Sequence, residues 1–144
     1  MIPAGAFARS VELFLEPIRD LLGDAGVSEI MINGPEDIWI ERKGVLSRTG
    51  IRFSSATALE AALTNVSQYA GRPLDGERPI LEAHLPDGSR IEAILPPVAK
   101  GGPIVAIRRF SKSALAVDSL VALNALSPLA ARFLVKASAA HLSV

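Results

Sequence analysis

The sequence predicts an α+β fold in which helices pack on an antiparallel sheet. Apolar residues recur at spacings of three and four near the N-terminus and again before residue 70, as in amphipathic helices. Two groups of short segments, within residues 29–53 and 80–109, are rich in β-branched residues that alternate with polar ones. Short turn-forming stretches join the segments within each group, which is typical of antiparallel strands.

The first predicted element is a helix from about Arg9 to Leu22, with Ser10 as its N-cap and Gly23 at its end. One apolar stripe runs along it, formed by Val11, Phe14, Leu15, Ile18, Leu21 and Leu22.

A hairpin is predicted next. The alternating segments 29–33 and 38–42 flank the turn-forming sequence NGPED, which is somewhat longer than the tightest hairpin loops. A short meander is predicted to follow, through Val45, Leu46, Ile51 and Phe53.

A second helix is predicted from a cap at Ser54 or Ser55 to about Tyr69, where Gly71 and Pro73 stop it. Its inward-facing residues are predicted to be Leu59, Ala62, Leu63 and Val66.

A second group of strands comes after this helix. Segments 80–85 and 90–95 flank the turn-forming sequence PDGS, and a third apolar strand, 103–109, follows two glycines.

The composition shifts beyond residue 110. Residues 111–114 are predicted to be a linker, followed by a short helix at 117–123 and a longer one at 128–140 that Ser127 caps. We therefore divide the chain into an N-terminal α/β domain, 1–110, and a segment 111–144. The alternating apolar residues at the chain end predict that a buried strand begins there.

Composition limits the classes of function. The 144 residues have the length of one domain, and no apolar stretch approaches the roughly 18 residues of a membrane span. The N-terminus lacks the pattern of a secretory signal, so we expect a cytoplasmic protein. The absence of cysteine agrees with that compartment and predicts no metal site, and a net charge of +0 argues against nucleic acid as a partner.

Few residues suggest catalysis. Glu82 and His84 lie two residues apart on one strand face and could form an acid/base pair, but no nucleophile motif accompanies them, which favours a solvated strand face. The sequence contains neither a phosphate-binding Gly-x-x-x-x-Gly-Lys-Ser/Thr loop nor a Gly-x-Gly-x-x-Gly motif. We therefore expect this chain alone to be non-catalytic.

Three arginines at strand ends form the main candidate site: Arg90, Arg108 and Arg109. Guanidinium groups on one sheet edge could clamp the phosphate oxygens of a ligand. Consecutive residues of a strand point to opposite faces, so at most one of Arg108 and Arg109 shares the face of Arg90. The alternative is that the arginines are structural and pair with Glu82, Glu92 or Asp87.

Two segments carry a resemblance to a known family. EIMINGPEDIWIERKG (29–44), followed by PLDGERPILEAHLPDGSRIEAILPPVAKGGPIVAIRRFSK (73–112), resembles the N-terminal domain of bacterial type II/type IV secretion ATPases, in particular the CpaF-like branch that acts in Tad pilus assembly. The resemblance runs from about Leu13 to the chain end.

The resemblance implies a PAS-like domain, 1–110, joined by a linker to a RecA-like motor domain. It implies that residues 111–144 are this linker and the first helices of the motor domain, the rest of which is absent from this sequence. It implies ATP and Mg²⁺ as cofactors of the full-length protein, a homohexameric ring at the cytoplasmic face of the inner membrane, and partners among inner-membrane components of a secretion or pilus system. It also implies that Arg90, Arg108 and Arg109 reach the phosphates of a nucleotide held between the two domains, and that the phosphate-binding loop lies just beyond Val144.

The chain departs from the family pattern at Ile91-Glu92, where relatives commonly have valine or isoleucine followed by asparagine. Because Glu92 lies on the face of Arg90, it could neutralise that arginine. Two other functions stay open: a free-standing PAS-like adaptor or small-molecule module, and an interaction surface formed by the first helix.

Overall fold

The structure is a computed structural model that describes residues 4–110 and 116–142. The chain divides into two compact units, residues 1–111 and 112–144. Within the described ranges, no helix is both long enough and apolar enough to cross a membrane.

The secondary structure elements follow in chain order. The first unit contains α1 (Ala4–Phe14), a 3-10 turn (Glu16–Ile18), α2 (Arg19–Gly23), β1 (Glu29–Asn33), β2 (Ile38–Arg42), β3 (Val45–Arg48), α3 (Ala56–Ala70), β4 (Ile80–His84), β5 (Arg90–Ile94) and β6 (Ile104–Arg108). The second unit contains α4 (Val117–Ala122) and α5 (Pro128–Ala139).

The six strands form one antiparallel sheet in the order β3-β2-β1-β6-β5-β4. The two predicted groups of strands meet where β1 pairs with β6, with Glu29 opposite Arg108 and Asn33 opposite Ile104. The predicted α+β class, with an antiparallel sheet and helices, is therefore confirmed.

The core lies on one face of the sheet. Residues of every strand except the exposed edge strand β3 alternate between buried and accessible positions. Ile30, Ile107 and Ile91 form a fully buried row across β1, β6 and β5. Leu59 and Leu63 of α3 belong to the same apolar cluster. Burial of these side chains is the main force holding helices and sheet together.

The prediction of one continuous helix from Arg9 to Leu22 is wrong. α1 ends at Phe14, and a 3-10 turn separates it from α2. Pro17 explains the break, because proline has no backbone N–H and disfavours helical geometry in the preceding residue. Ser10 is not an N-cap: it lies inside α1, and its Oγ donates a hydrogen bond to Asn65 Oδ1 of α3 at 2.6 Å.

The first hairpin has the predicted strand bounds, but the meander after it is shorter than predicted. β3 ends at Arg48, and Ile51 and Phe53 lie outside the sheet. The loop turns back to the hairpin, where the Phe53 N–H donates to the carbonyl of Pro35 at 2.8 Å and the Phe53 ring is buried. Phe53 thus belongs to the core as a loop residue.

The α3 prediction is confirmed at both ends. Ser55 Oγ accepts the Ala58 N–H at 3.1 Å, and Gly71 ends the helix with a φ of 64°, a left-handed conformation that glycine adopts without steric cost. The four predicted inward-facing residues are buried.

The strands of the second group and the helix capped by Ser127 agree with prediction to within one or two residues. The predicted linker, 111–114, lies outside the described residues.

One carboxylate in the loop before β4, that of Asp75, accepts three hydrogen bonds. The side chain and backbone N–H of Arg78, with the backbone N–H of Glu77, donate hydrogen bonds to Asp75 at 2.6, 2.9 and 3.0 Å. These bonds hold the pKa of Asp75 below its ordinary value of 3.8. Because the folded-state pKa is depressed, the stabilisation is present above the unfolded value and is lost as the pH falls through the folded value.

We therefore expect Asp75→Ala to lower the midpoint of urea unfolding at about pH 7 and to have a smaller effect at about pH 3, because the stabilisation declines once the pH is below the ordinary value of 3.8. Glu77→Ala is the matched control, because it removes a charge from the same loop and keeps the backbone donor. A deficit in Asp75→Ala that is equal at both pH values would contradict this role.

Candidate functional site

The face of the sheet opposite the core carries the candidate site. We call it the open face. Its residues on β1, β6, β5 and β4 are all exposed or half-buried: Glu29, Met31 and Asn33; Ile104, Ala106 and Arg108; Arg90, Glu92 and Ile94; Ile80, Glu82 and His84. Strand register aligns four of them in one row, so that Glu29, Arg108, Arg90 and His84 are successive cross-strand neighbours.

Arg90 and Arg108 lie directly opposite each other on β5 and β6. Directly opposed residues of antiparallel strands have Cβ atoms about 4.5–5.5 Å apart, and like charges at that position destabilise a sheet. Arg108 is exposed, and its guanidinium has no ion pair with any residue that the structure describes. The two arginines line a depression of about 180 Å³ together with Glu29, Glu92 and Ala106. An anion bound there would relieve the repulsion between them.

Arg90 is the more constrained of the two. Its Nη2 lies 2.5 Å from Glu82 Oε1 and 2.8 Å from Glu92 Oε1. Arg90 thus has the ion pairs with Glu82 and Glu92 that the structural alternative predicts, whereas Asp87 accepts hydrogen bonds from Ser89. All three side chains are at least half exposed, and exposed ion pairs stabilise a fold by only about 0–1 kcal/mol. An anion of higher charge can therefore displace the carboxylates from Arg90.

Arg109 lies on the other side of the sheet. Its Nη1 donates hydrogen bonds to the carbonyl oxygens of Leu21 at 2.8 Å and Asp24 at 3.0 Å, at the end of α2. Cationic donors at a helix C-terminus satisfy carbonyls that have no partner within the helix. Its Nε is buried and has no hydrogen-bond partner among the described residues. Arg108, and not Arg109, therefore shares the face of Arg90.

Two contacts at the site could not be predicted from the sequence. Glu29 stands opposite Arg108, because β1 and β6 pair although residues 34–103 separate them, a contact that no local pattern indicates. Arg109 contacts carbonyls 85 and 88 residues away in sequence. Glu82 and His84 do share a strand face, as predicted, but Glu82 pairs with Arg90 and not with His84.

The arrangement is suited to the recognition of an anion. Two guanidinium groups supply forked donors of the kind that bind phosphate oxygens, and three carboxylates (Glu29, Glu82 and Glu92) offset their charge in the absence of a ligand. Within the described part of the chain, no group of three acidic or histidine side chains could hold a metal ion.

Several known proteins resemble this chain. It is 31% identical over 103 residues to the type IV secretion system protein VirB11 of Brucella suis, covering 71% of this chain and 28% of that protein. It is 29% identical over 123 residues to a putative conjugal transfer protein of Mycobacterium tuberculosis, covering 81% of this chain and 34% of that protein. The chain thus spans about a third of the length of these relatives.

The fold has a counterpart among solved structures. The crystal structure of the VirB11 ATPase of the Brucella suis type IV secretion system in complex with sulphate matches 88% of this chain and 38% of its own chain, with a TM-score of 0.77 and 26% identity. Residues 13–144 match the family described as type II/IV secretion system protein. The chain therefore belongs to the type II/IV secretion system protein family.

Proposed function

We propose that this chain is the N-terminal domain of a secretion ATPase, and that Arg90 and Arg108 neutralise the phosphate charge of ATP bound between it and a RecA-like motor domain. The opposed arginines of the open face are the observation that carries the proposal. Their cross-strand alignment would let one polyanion contact both guanidinium groups at once. Membership of the secretion family and the likeness to a relative named an ATPase support the choice of ATP.

The proposed contribution of the arginines is electrostatic. Charge develops on the phosphate oxygens during transfer, and preorganised donors stabilise it. Arg108 has no ion pair among the described residues, so its guanidinium can contact phosphate directly. Arg90 must first separate from Glu82 and Glu92. Arg109 was also predicted to contact phosphate; because its Nη1 is used at the end of α2, we propose that it positions the strand end that carries Arg108.

ATP and Mg²⁺ are the proposed cofactors of the full-length protein. The opposed guanidinium groups fit phosphate oxygens, so this domain would supply phosphate contacts. The described residues contain no cluster able to hold a metal ion, so we assign Mg²⁺ to the phosphates and the motor domain. Bound Mg²⁺ would neutralise part of the phosphate charge.

The finer assignments belong to the same proposal. We propose a hexameric ring at the cytoplasmic face of the inner membrane, contacts with inner-membrane components of a secretion or pilus system, and membership of the CpaF-like branch that serves Tad pili. The PAS-like description of the domain stays a prediction. A free-standing adaptor module is the second candidate function, but it would leave the opposed arginines without a ligand.

ATP hydrolysis by the full-length protein tests the proposal. We expect turnover that requires Mg²⁺ and is abolished by EDTA, because the metal neutralises phosphate charge. We expect native mass spectrometry to find six copies per particle. A monomeric full-length protein that neither binds nor hydrolyses ATP in the presence of Mg²⁺ would favour the adaptor function instead.

A further inference from the structure

Two carboxylates face each other beside the candidate site. Glu82 of β4 and Glu92 of β5 are directly opposed in the sheet register, and like charges in that position are destabilising. Arg90 Nη2 lies within hydrogen-bond distance of both. Nη2 of Arg90 thus forms ion pairs with both carboxylates on the open face.

We infer that Glu82 and Glu92 form a releasable clamp on Arg90 that competes with the phosphates of the nucleotide and sets its affinity. The inference rests on the proposed function, because it concerns the same phosphate contacts. In the clamped state Arg90 is paired with two carboxylates, whereas Arg108 has no ion pair among the described residues. When a polyphosphate enters the depression, Arg90 exchanges its carboxylates for phosphate oxygens.

The exposure of the clamp makes this exchange feasible. The side chains of Arg90, Glu82 and Glu92 are 50%, 60% and 54% exposed, so water screens their attraction. A terminal phosphate carries more charge than one carboxylate and can accept two parallel hydrogen bonds from a guanidinium. Arg90 Nε and Nη1 have no hydrogen-bond partner within the described ranges, so a ligand can engage them before Nη2 leaves the carboxylates.

The clamp also favours polyanions. A ligand with a single negative charge gains little by displacing two carboxylates, whereas a nucleoside triphosphate brings several charges to Arg90 and Arg108 together. After hydrolysis, the clamp would recapture Arg90 as phosphate leaves. Glu82 and Glu92 are therefore proposed as residues that tune affinity by holding or releasing Arg90.

Titration of the full-length protein with ATPγS and Mg²⁺ tests the clamp. Glu82→Gln and Glu92→Gln keep the side-chain shape and remove the charge. We expect each to tighten ATPγS binding about three- to fivefold, and both together about tenfold, the range of exposed ion pairs. Glu60→Gln is the control, because it removes an exposed charge from α3 and should leave affinity unchanged.

A second series shows whether the effect passes through Arg90. In an Arg90→Ala background, Glu92→Gln should no longer tighten binding, since no arginine remains to be released. An equal gain in that background would mean simple repulsion of phosphate by Glu92 and would overturn the clamp. If Arg108→Ala weakens ATPγS binding but the glutamine variants bind like wild type, the clamp is overturned and the proposed function stands. If Arg90→Ala and Arg108→Ala both bind like wild type, the proposed function fails.

Discussion

Arg108→Ala is expected to lower the ATP turnover of the full-length protein by about 100-fold, the loss typical when one preorganised donor to a developing charge is removed. Its guanidinium has no ion pair among the described residues, so its loss should not weaken the fold, and exposed substitutions of this kind change stability by roughly 0.5 kcal/mol or less. Removing it also leaves Glu29 facing the phosphates without a counter-charge.

The test for Arg108→Ala measures the steady-state rate of ATP hydrolysis and, separately, thermal unfolding. Together they distinguish a loss of catalysis from a loss of stability. Arg52→Ala is the matched control, because it removes an exposed arginine from the loop after β3 that makes no described ion pair. We expect Arg52→Ala to hydrolyse ATP like wild type. Turnover of Arg108→Ala within about twofold of wild type, with folding intact, would mean that Arg108 does not act on phosphate charge.

Arg109→Ala, unlike Arg108→Ala, is expected to lower the stability of the fold. The side chain ties the last carbonyls of α2, at Leu21 and Asp24, to the end of β6. Hydrogen bonds from a charged donor contribute about 1.5–3 kcal/mol each, and part of that is offset because the substitution also removes the buried, unpartnered Nε. We expect a net decrease of about 1–3 kcal/mol in the free energy of unfolding.

Hydrogen exchange locates this effect in the chain. The N–H of Val27 donates to the carbonyl of Asp24, so the segment between α2 and β1 should exchange faster in Arg109→Ala, by about tenfold or more. Arg108→Ala serves as the neighbouring control and should exchange like wild type there. Unchanged exchange and unchanged unfolding in Arg109→Ala would remove its assigned role as an anchor.

Local chemistry explains what could be predicted from the sequence. The first hairpin has its predicted bounds because a turn-forming stretch separates two alternating segments, and α3 has its predicted cap at Ser55 and stop at Gly71. The one helix predicted wrongly contains Pro17, a residue whose helix-breaking effect was already visible in the sequence. The sequence predicts a meander that continues through Phe53, because a buried apolar residue has the same local pattern in a loop as in a strand.

The long-range features could not be predicted in the same way. Alternation alone showed that only one of Arg108 and Arg109 could join Arg90, and the register of the sheet was needed to show which. The pairing of β1 with β6 brings Glu29 to Arg108, and the packing of α2 behind the sheet gives Arg109 its partners. These contacts join residues far apart in sequence, so they depend on the whole fold.

The most direct test of the account is the structure of the full-length protein with a non-hydrolysable ATP analogue and Mg²⁺. We expect an Arg108 guanidinium nitrogen within about 3 Å of a phosphate oxygen, and Arg90 turned from Glu82 and Glu92 toward the phosphates. An analogue bound with both guanidinium groups more than about 6 Å from every phosphate oxygen would contradict it, because charges that far apart in water interact only weakly.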